Sequence, residues 1–277
     1  MIQFITSNQN KIIKHAKSLL KKKYRDLKEQ YLIEGVKLIK EALENDVSIS
    51  TLLFRNDTST KPYIEDIINI CLTRDIPVYG IDDKLFSDIS ETKTSQGVIA
   101  IGKKKTYSMD FLFEKDSYNL VLLEEVQDPG NVGTIIRTAD AFGFDLVILS
   151  KGCADVYSSK TIRSTMGSLF HIPIIMDVEL EPIIKKLNNA EVLTLGTTPY
   201  GGTSCFNIEY KYKNAIIIGN ESKGISDTLM KYVKLKVNIP MIGKAESLNA
   251  SVAASLMMYE VMRYNISEKQ KLYYCNQ

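Results

Sequence analysis

The spacing of apolar and polar positions divides the chain into two α/β regions joined by a polar stretch. Between residues 10 and 20 the apolar side chains Ile12, Ile13, Ala16, Leu19 and Leu20 recur at helical intervals, while Lys11, Lys14, Lys17 and Lys21 take the other side. This pattern predicts an amphipathic helix with a basic outer face. Alternating short runs then predict strands at 31–34, 49–54, 77–80 and 97–101, with helices at 36–45, 63–73 and 82–89 between them. Elements of these lengths in this order describe a small α/β/α sandwich.

The stretch from Gly102 to Ser108 is polar and breaks both periods, so it reads as an interdomain linker. The expected division is a first domain at 1–103, a linker at 104–117 and a second domain at 118–277. In the second domain, strands are predicted at 120–123, 146–149, 172–175, 192–195, 215–218 and 235–239, with a helix near 132–142 ended by Gly143. Several of these strands are unbroken Val, Ile and Leu runs, which suits a mostly parallel sheet covered on both faces. A last helix at 248–264 is apolar around most of its circumference. It is expected to pack against its own sheet and against a second subunit.

Composition narrows the function classes. The length of 277 residues suits two domains, and no apolar run is long enough to span a membrane. The first thirty residues lack the pattern of a signal peptide. Cys71, Cys153, Cys205 and Cys275 are widely separated, with only His15 and His171 beside them, which predicts neither a metal site nor a disulfide framework and favours the cytoplasm. The net charge of +2 hides an asymmetry, because Lys11, Lys14, Lys17, Lys21, Lys22, Lys23, Arg25, Lys28, Lys37 and Lys40 face only Asp26, Glu29 and Glu34 in the first forty residues. Such a surface is either a solvated helix face or a binder of phosphate backbone.

Three polar cassettes follow strand-like runs in the second domain. They are Asp128-Pro129-Gly130-Asn131-Val132-Gly133-Thr134-Ile135-Ile136-Arg137-Thr138, then Gly219-Asn220-Glu221-Ser222-Lys223-Gly224, then Asn238-Ile239-Pro240 with Ser247-Leu248-Asn249-Ala250-Ser251. Ligands of α/β sheets collect at the carboxyl ends of strands, so the three are expected to form one site. In the first, Asn131 is expected to cap a helix on which Arg137 projects away from the apolar stripe of Ile135, Ile136, Ala139 and Phe142. In the second, the two glycines let backbone approach a ligand, and the Glu221 carboxylate can accept hydrogen bonds. In the third, Ser247, Asn249 and Ser251 crowd the start of an apolar helix, more hydrogen-bonding side chains than a cap requires. Each cassette alone is compatible with an ordinary turn. Dinucleotide and P-loop fingerprints are absent, and no Ser-His-Asp set is supportable.

Together the cassettes resemble the signature motifs of the SpoU/TrmH family of RNA ribose 2'-O-methyltransferases, in the SPOUT class. Arg163-Ser164-Thr165-Met166-Gly167-Ser168-Leu169-Phe170 is similar to the family's segment between the first two motifs. The first hundred residues look like the substrate-binding domain that precedes catalysis in many members, with a fold resembling kink-turn-binding ribosomal proteins. The resemblance implies an α/β knot with a deep trefoil, S-adenosylmethionine as methyl donor, and a homodimer with sites at the subunit interface. It assigns Leu195, Gly196, Thr197, Gly219, Asn220, Gly224, Ile239, Met241, Ser247, Leu248 and Asn249 to the cofactor. Asn131, Arg137, Glu221, Ser247 and Asn249 match positions associated with catalysis and the RNA side of the site. Lys11, Lys14, Lys17, Lys21, Arg25 and Arg163 are the expected RNA contacts. Ser222 departs from a common glycine, and Asn220 reads as an unremarkable variation.

The implied reaction is an in-line attack of a ribose 2'-hydroxyl oxygen on a sulfonium methyl, most simply on 23S rRNA. A guanidinium is always protonated, so Arg137 is expected to clamp a phosphate and stabilise the developing alkoxide, with a phosphate oxygen or water taking the proton. The alternatives are a non-catalytic RNA-binding or ribosome-assembly protein of the same fold, and a tRNA 2'-O-methyltransferase.

Overall fold

Among the described residues, five strands in the N-terminal part and seven in the C-terminal part build two separate sheets. The computed structural model describes residues 2–92 and 94–275, with side chains through residue 267. The chain divides into two compact units, Met1–Lys105 with Asp155–Phe170, and Thr106–Ala154 with His171–Gln277.

The first unit contains β1 (Gln3–Ile5), α1 (Lys11–Ser18), α2 (Lys22–Lys28), β2 (Gln30–Glu34), α3 (Val36–Glu44), β3 (Ile49–Arg55), α4 (Pro62–Thr73), β4 (Val78–Ile81), α5 (Asp83–Ser87) and β5 (Val98–Lys103). Its sheet order is β1-β4-β3-β5-β2, with β5 antiparallel to both neighbours and the other pairs parallel. Asn10 caps α1 by accepting from the Ile12 N–H, and Ile13, Ala16 and Leu19 enter the core beside Leu53, Phe86 and Ile99. Lys11 and Lys14 remain outside. The expected amphipathic helix is therefore present. The Gly102–Ser108 stretch is not wholly linker, because Gly102 and Lys103 extend β5 and pair with Tyr31 and Gln30.

Two features of this unit were not legible in periodicity. Helix α2 buries only Arg25 and exposes Tyr24 and Leu27, so it has no apolar stripe to detect. The segment 155–170, which carries α7 (Ser159–Thr165), packs with this unit although it lies between strands of the other. Arg25 joins the two features. Its Nη1 donates to the carbonyls of Leu19 at 2.7 Å and Leu20 at 2.9 Å, and its Nη2 donates to Asp155 at 2.6 Å. The Tyr31 and Tyr157 rings lie 4.5 Å apart, and the buried Thr161 hydroxyl donates to the Asp155 carbonyl. Expected to face RNA, Arg25 is instead an internal tie, because a buried guanidinium must find partners for its donors.

The second unit contains β6 (Tyr118–Leu123), α6 (Pro129–Ala141), β7 (Leu146–Ser150), β8 (Ile174–Val178), α8 (Leu180–Asn189), β9 (Leu193–Thr197), β10 (Thr203–Ser204), β11 (Lys213–Ile218), α9 (Asp227–Met230), β12 (Leu235–Asn238) and α10 (Ala250–Cys275). All its strand pairs are parallel, in the order β10-β12-β9-β11-β6-β7-β8. Leu120, Leu122, Ile148, Ala215 and Ile217 pack with Ile184 and Leu187 of α8, as expected for strands covered by helices. Because β12, β9, β11 and β6 are neighbours running the same way, the loops after them emerge at one sheet edge. No helix among the described residues is long and apolar enough to cross a membrane.

Candidate active site

The first cassette is ordered by its own capping. Asp128, not Asn131, is the N-cap of α6, accepting from the Asn131 N–H at 2.9 Å, and Pro129 takes the first helical position. Proline suits that position because its missing N–H would be unpaired there anyway. Asn131 is thereby moved inside the first turn and buried. Its side chain is left for another task.

That task is to join the three cassettes. The Glu221 carboxylate, in the loop after β11, accepts from the backbone N–H groups of Gln127 and Asp128, both at 3.1 Å, and from Asn131 Nδ2 at 3.0 Å. Asn131 Oδ1 in turn accepts from Asn249 Nδ2 at 3.0 Å. Asn249 Oδ1 then accepts from the Ser251 N–H at 2.9 Å, the Ser251 hydroxyl at 2.6 Å and the Val252 N–H at 3.3 Å, which caps α10. An ionised carboxylate can only accept, so Glu221 fixes which way the Asn131 amide faces, and Asn131 fixes Asn249. Burial opposes ionisation of Glu221, but the hydrogen bonds from Asn131, Asp128 and Gln127 outweigh it and hold the carboxyl below its usual range.

The loop after β11 is equally determined. Asn220 and Gly224 exchange backbone hydrogen bonds of 3.1 and 2.9 Å, while the Asn220 side chain donates to the Glu125 carbonyl and accepts from the N–H groups of Ser222 and Lys223. Far from being an incidental variation, Asn220 holds the turn closed. A Cβ on Gly219 would lie 2.1 Å from the Gly224 carbonyl carbon, so the tight turn excludes any side chain there.

The loops after β9, β11 and β12 surround a cavity of about 480 Å³. Of the expected residues, Thr197, Gly219, Asn220, Glu221, Gly224, Ile239, Met241, Ser247, Leu248 and Asn249 line it. Leu195 and Gly196 do not, because they lie further back in β9 among its strand partners. Sequence reasoning missed Thr198, Pro199, Ile218, Val237 and Ala253. The first four flank strand ends already singled out, and Ala253 lies one helical turn beyond Asn249. The volume falls in the usual range for small-molecule sites. Apolar Ile218, Val237, Ile239 and Leu248 beside Thr197, Ser247 and Asn249 fit a flat nucleoside with a polar tail.

The other expected residues lie elsewhere. Arg137 is exposed on α6, makes no hydrogen bond or ion pair among the described residues, and does not line the cavity. The Lys17 ammonium is shared between Asn8 and Asp88, both at 2.6 Å, whereas Lys11, Lys14 and Lys21 point to solvent. Arg163, half-buried on α7, donates to the Ser159 hydroxyl and lines a small cleft with Glu34, Glu91 and Ile99. Among the described residues, no group of three or more His, Cys, Asp or Glu side chains could hold a metal ion.

Comparison with known proteins accounts for both units. Residues 118–259 match the SpoU rRNA Methylase family, and residues 10–100 match an MRM3-like substrate binding domain. The 23S rRNA (guanosine(2553)-2'-O)-methyltransferase RlmP of Bacillus subtilis is 34% identical over 93% of this chain and 98% of its own length. The 23S rRNA (uridine(2479)-2'-O)-methyltransferase of Streptomyces viridochromogenes is 28% identical over 86% of this chain and 84% of its own. Among solved structures, the AdoMet-bound rRNA methyltransferase of Sinorhizobium meliloti superposes with a TM-score of 0.83 at 30% identity, covering 95% of this chain and 98% of that one. With one family model spanning half of its length and a relative matched almost end to end, the chain belongs to the SpoU rRNA methylase family.

Proposed function

We propose that the protein transfers a methyl group from S-adenosylmethionine to a ribose 2'-hydroxyl of RNA, with 23S rRNA as the substrate. The observation that carries this reading is the Glu221–Asn131–Asn249 chain of hydrogen bonds, which ties the first cassette to the second and third, and those two line one cavity. The names of the two matched 23S rRNA enzymes support the choice of RNA.

In this reading Gly219, Ile239, Met241 and Leu248 hold the cofactor, which supplies an already activated sulfonium methyl. The protein's own share is alignment and exclusion of water. Glu221 is ionised and engaged by three donors, so it fixes geometry and is a poor proton acceptor. Arg137 keeps its guanidinium donors free for a phosphate and for the alkoxide that develops as the 2'-hydroxyl loses its proton to a phosphate oxygen or water.

The protein acts as a homodimer. Val252, Leu256 and Tyr259, spaced along α10, are 46%, 41% and 45% exposed, an apolar strip that a second copy would cover. Arg137 does not line the cavity of its own chain, which favours sites completed by paired subunits. A trefoil knot in the second unit agrees with the loops after β11 and β12 bounding the same cavity. Structured RNA is gripped by the first unit, where Lys11, Lys14 and Lys21 are joined by exposed Lys23, Tyr24 and Lys28 of α2, a mixture of charge for backbone and an aromatic face for bases. Action on ribosomal RNA supports a cytoplasmic location.

The deciding experiment incubates the protein with radiolabelled S-adenosylmethionine and unmodified 23S rRNA or tRNA, then maps ribose methylation. Label in one 23S rRNA nucleotide is expected. Transfer only to tRNA would select the tRNA enzyme, and cofactor binding without transfer to any RNA would revive the non-catalytic reading.

A further inference from the structure

We infer that Lys223 is the residue that pairs with the carboxylate of the methyl donor's amino-acid tail, an inference that rests on the proposed cofactor. Two charged side chains stand among the cavity's lining residues, Glu221 and Lys223. Glu221 is committed to Gln127, Asp128 and Asn131. It therefore leaves Lys223 without a neutralising partner despite lying two positions away. The Lys223 ammonium makes no ion pair or side-chain hydrogen bond among the described residues, while its backbone N–H is fixed by Asn220 Oδ1 at 3.1 Å.

The position is as constrained as the charge is free. Lys223 lies between Asn220 and Gly224, whose paired backbone hydrogen bonds close the turn, and the φ of +69° at Gly224 suits a residue without a side chain. The cation thus has a rigid base at the cavity wall and a flexible stem. S-adenosylmethionine carries a sulfonium and an ammonium, both positive, and a single carboxylate. In a cavity whose one lining carboxylate is occupied, the complementary group for that tail is a lysine, which acts as a compact point charge. Lys223 would also bias the orientation of the bound molecule, drawing the tail toward the loop after β11 and leaving the apolar wall of Ile218, Val237 and Ile239 for the adenosine.

The test is calorimetric titration of the dimer with S-adenosylhomocysteine and with its decarboxylated form, which lacks only the carboxylate. For Lys223→Ala, affinity for S-adenosylhomocysteine is expected to fall by about three- to tenfold and affinity for the decarboxylated ligand to stay within twofold. Lys223→Arg is expected to recover most of the loss, and the wild-type preference for the carboxylated ligand is expected to shrink as salt rises. Equal losses for both ligands, or none, would overturn the inference. So would Lys223→Ala variants that bind S-adenosylhomocysteine normally and RNA weakly, since the ammonium would then belong to a phosphate. Wild-type protein that binds neither ligand would sink the methyl-donor reading itself, and the inference with it.

Discussion

Asn249 donates a hydrogen bond of 3.0 Å to the side-chain carbonyl of Asn131 across 118 positions of sequence. The direction of that bond is set from outside the pair. Glu221 takes the Asn131 amide, which leaves only the Asn131 carbonyl for Asn249, and the Asn249 carbonyl is then free to cap α10. One carboxylate orients two amides and a helix start.

Breaking the middle of this relay should disturb both ends. Asn131→Ala is expected to cost about 1–3 kcal/mol of stability, the usual result of stranding buried hydrogen-bonding groups. It should also weaken S-adenosylhomocysteine binding, because Asn249 loses its orientation at the cavity wall. Thermal unfolding and calorimetric titration measure the two effects. Normal ligand affinity in a destabilised variant would confine Asn131 to folding.

The acid side of the stability profile should carry the signature of Glu221. Its carboxyl is held below the ordinary glutamate range in the folded state, so its ionisation favours folding at neutral pH, and the contribution is lost as pH falls through the lower folded value. Glu221→Gln should therefore unfold more readily than wild type at neutral pH, with the gap closing below about pH 4. A gap that stays constant from pH 7 to pH 3 would contradict the depressed ionisation.

Arg137 should separate turnover from cofactor binding. It is exposed and does not line the cavity, so Arg137→Lys is expected to leave S-adenosylhomocysteine affinity within twofold while lowering kcat by about 100-fold or more through loss of the bidentate fork. Single-turnover methylation with saturating RNA reads this directly. Near-normal turnover would rule out the clamp.

Gly219 should tolerate no side chain. Because a Cβ would lie 2.1 Å from the Gly224 carbonyl carbon, Gly219→Ala must force the turn open, at a cost of about 1–3 kcal/mol for overpacking. Ligand binding should be lost along with the turn. A variant with wild-type melting temperature and affinity would show that the loop rearranges freely.

Arg25 and the exposed lysines should behave as different classes. Arg25→Ala breaks an ion pair whose side chains are only 8% and 14% exposed, and is expected to cost about 3 kcal/mol. Lys11→Glu with Lys14→Glu should leave the melting temperature nearly unchanged but weaken RNA binding and flatten its salt dependence. Comparing the variants by calorimetry and by RNA binding at two salt concentrations tests the division. Equal effects of Arg25→Ala on RNA binding at unchanged stability would return Arg25 to the RNA surface.

The sequence by itself determined the elements whose apolar pattern is local. Ile13, Ala16 and Leu19 mark α1, and the unbroken runs at Leu120–Leu123 and Ala215–Ile218 mark buried strands, because burial on one helix face or both sheet faces writes a period into the chain. It also determined the three cassettes, since glycine, proline and asparagine are chosen there for backbone reasons that act within a few residues. Helix α8 carries such a stripe in Leu180, Ile184 and Leu187, although it is absent from the elements expected above. What only the tertiary structure decided is which polar group meets which. Asp128 rather than Asn131 caps α6, Arg25 turns inward to an aspartate 130 positions away, and segment 155–170 leaves its sequence neighbours for the first unit. Hydrogen bonds and ion pairs between distant residues leave no period in the sequence, because their partners are brought together only once the strands have taken their order in the sheet.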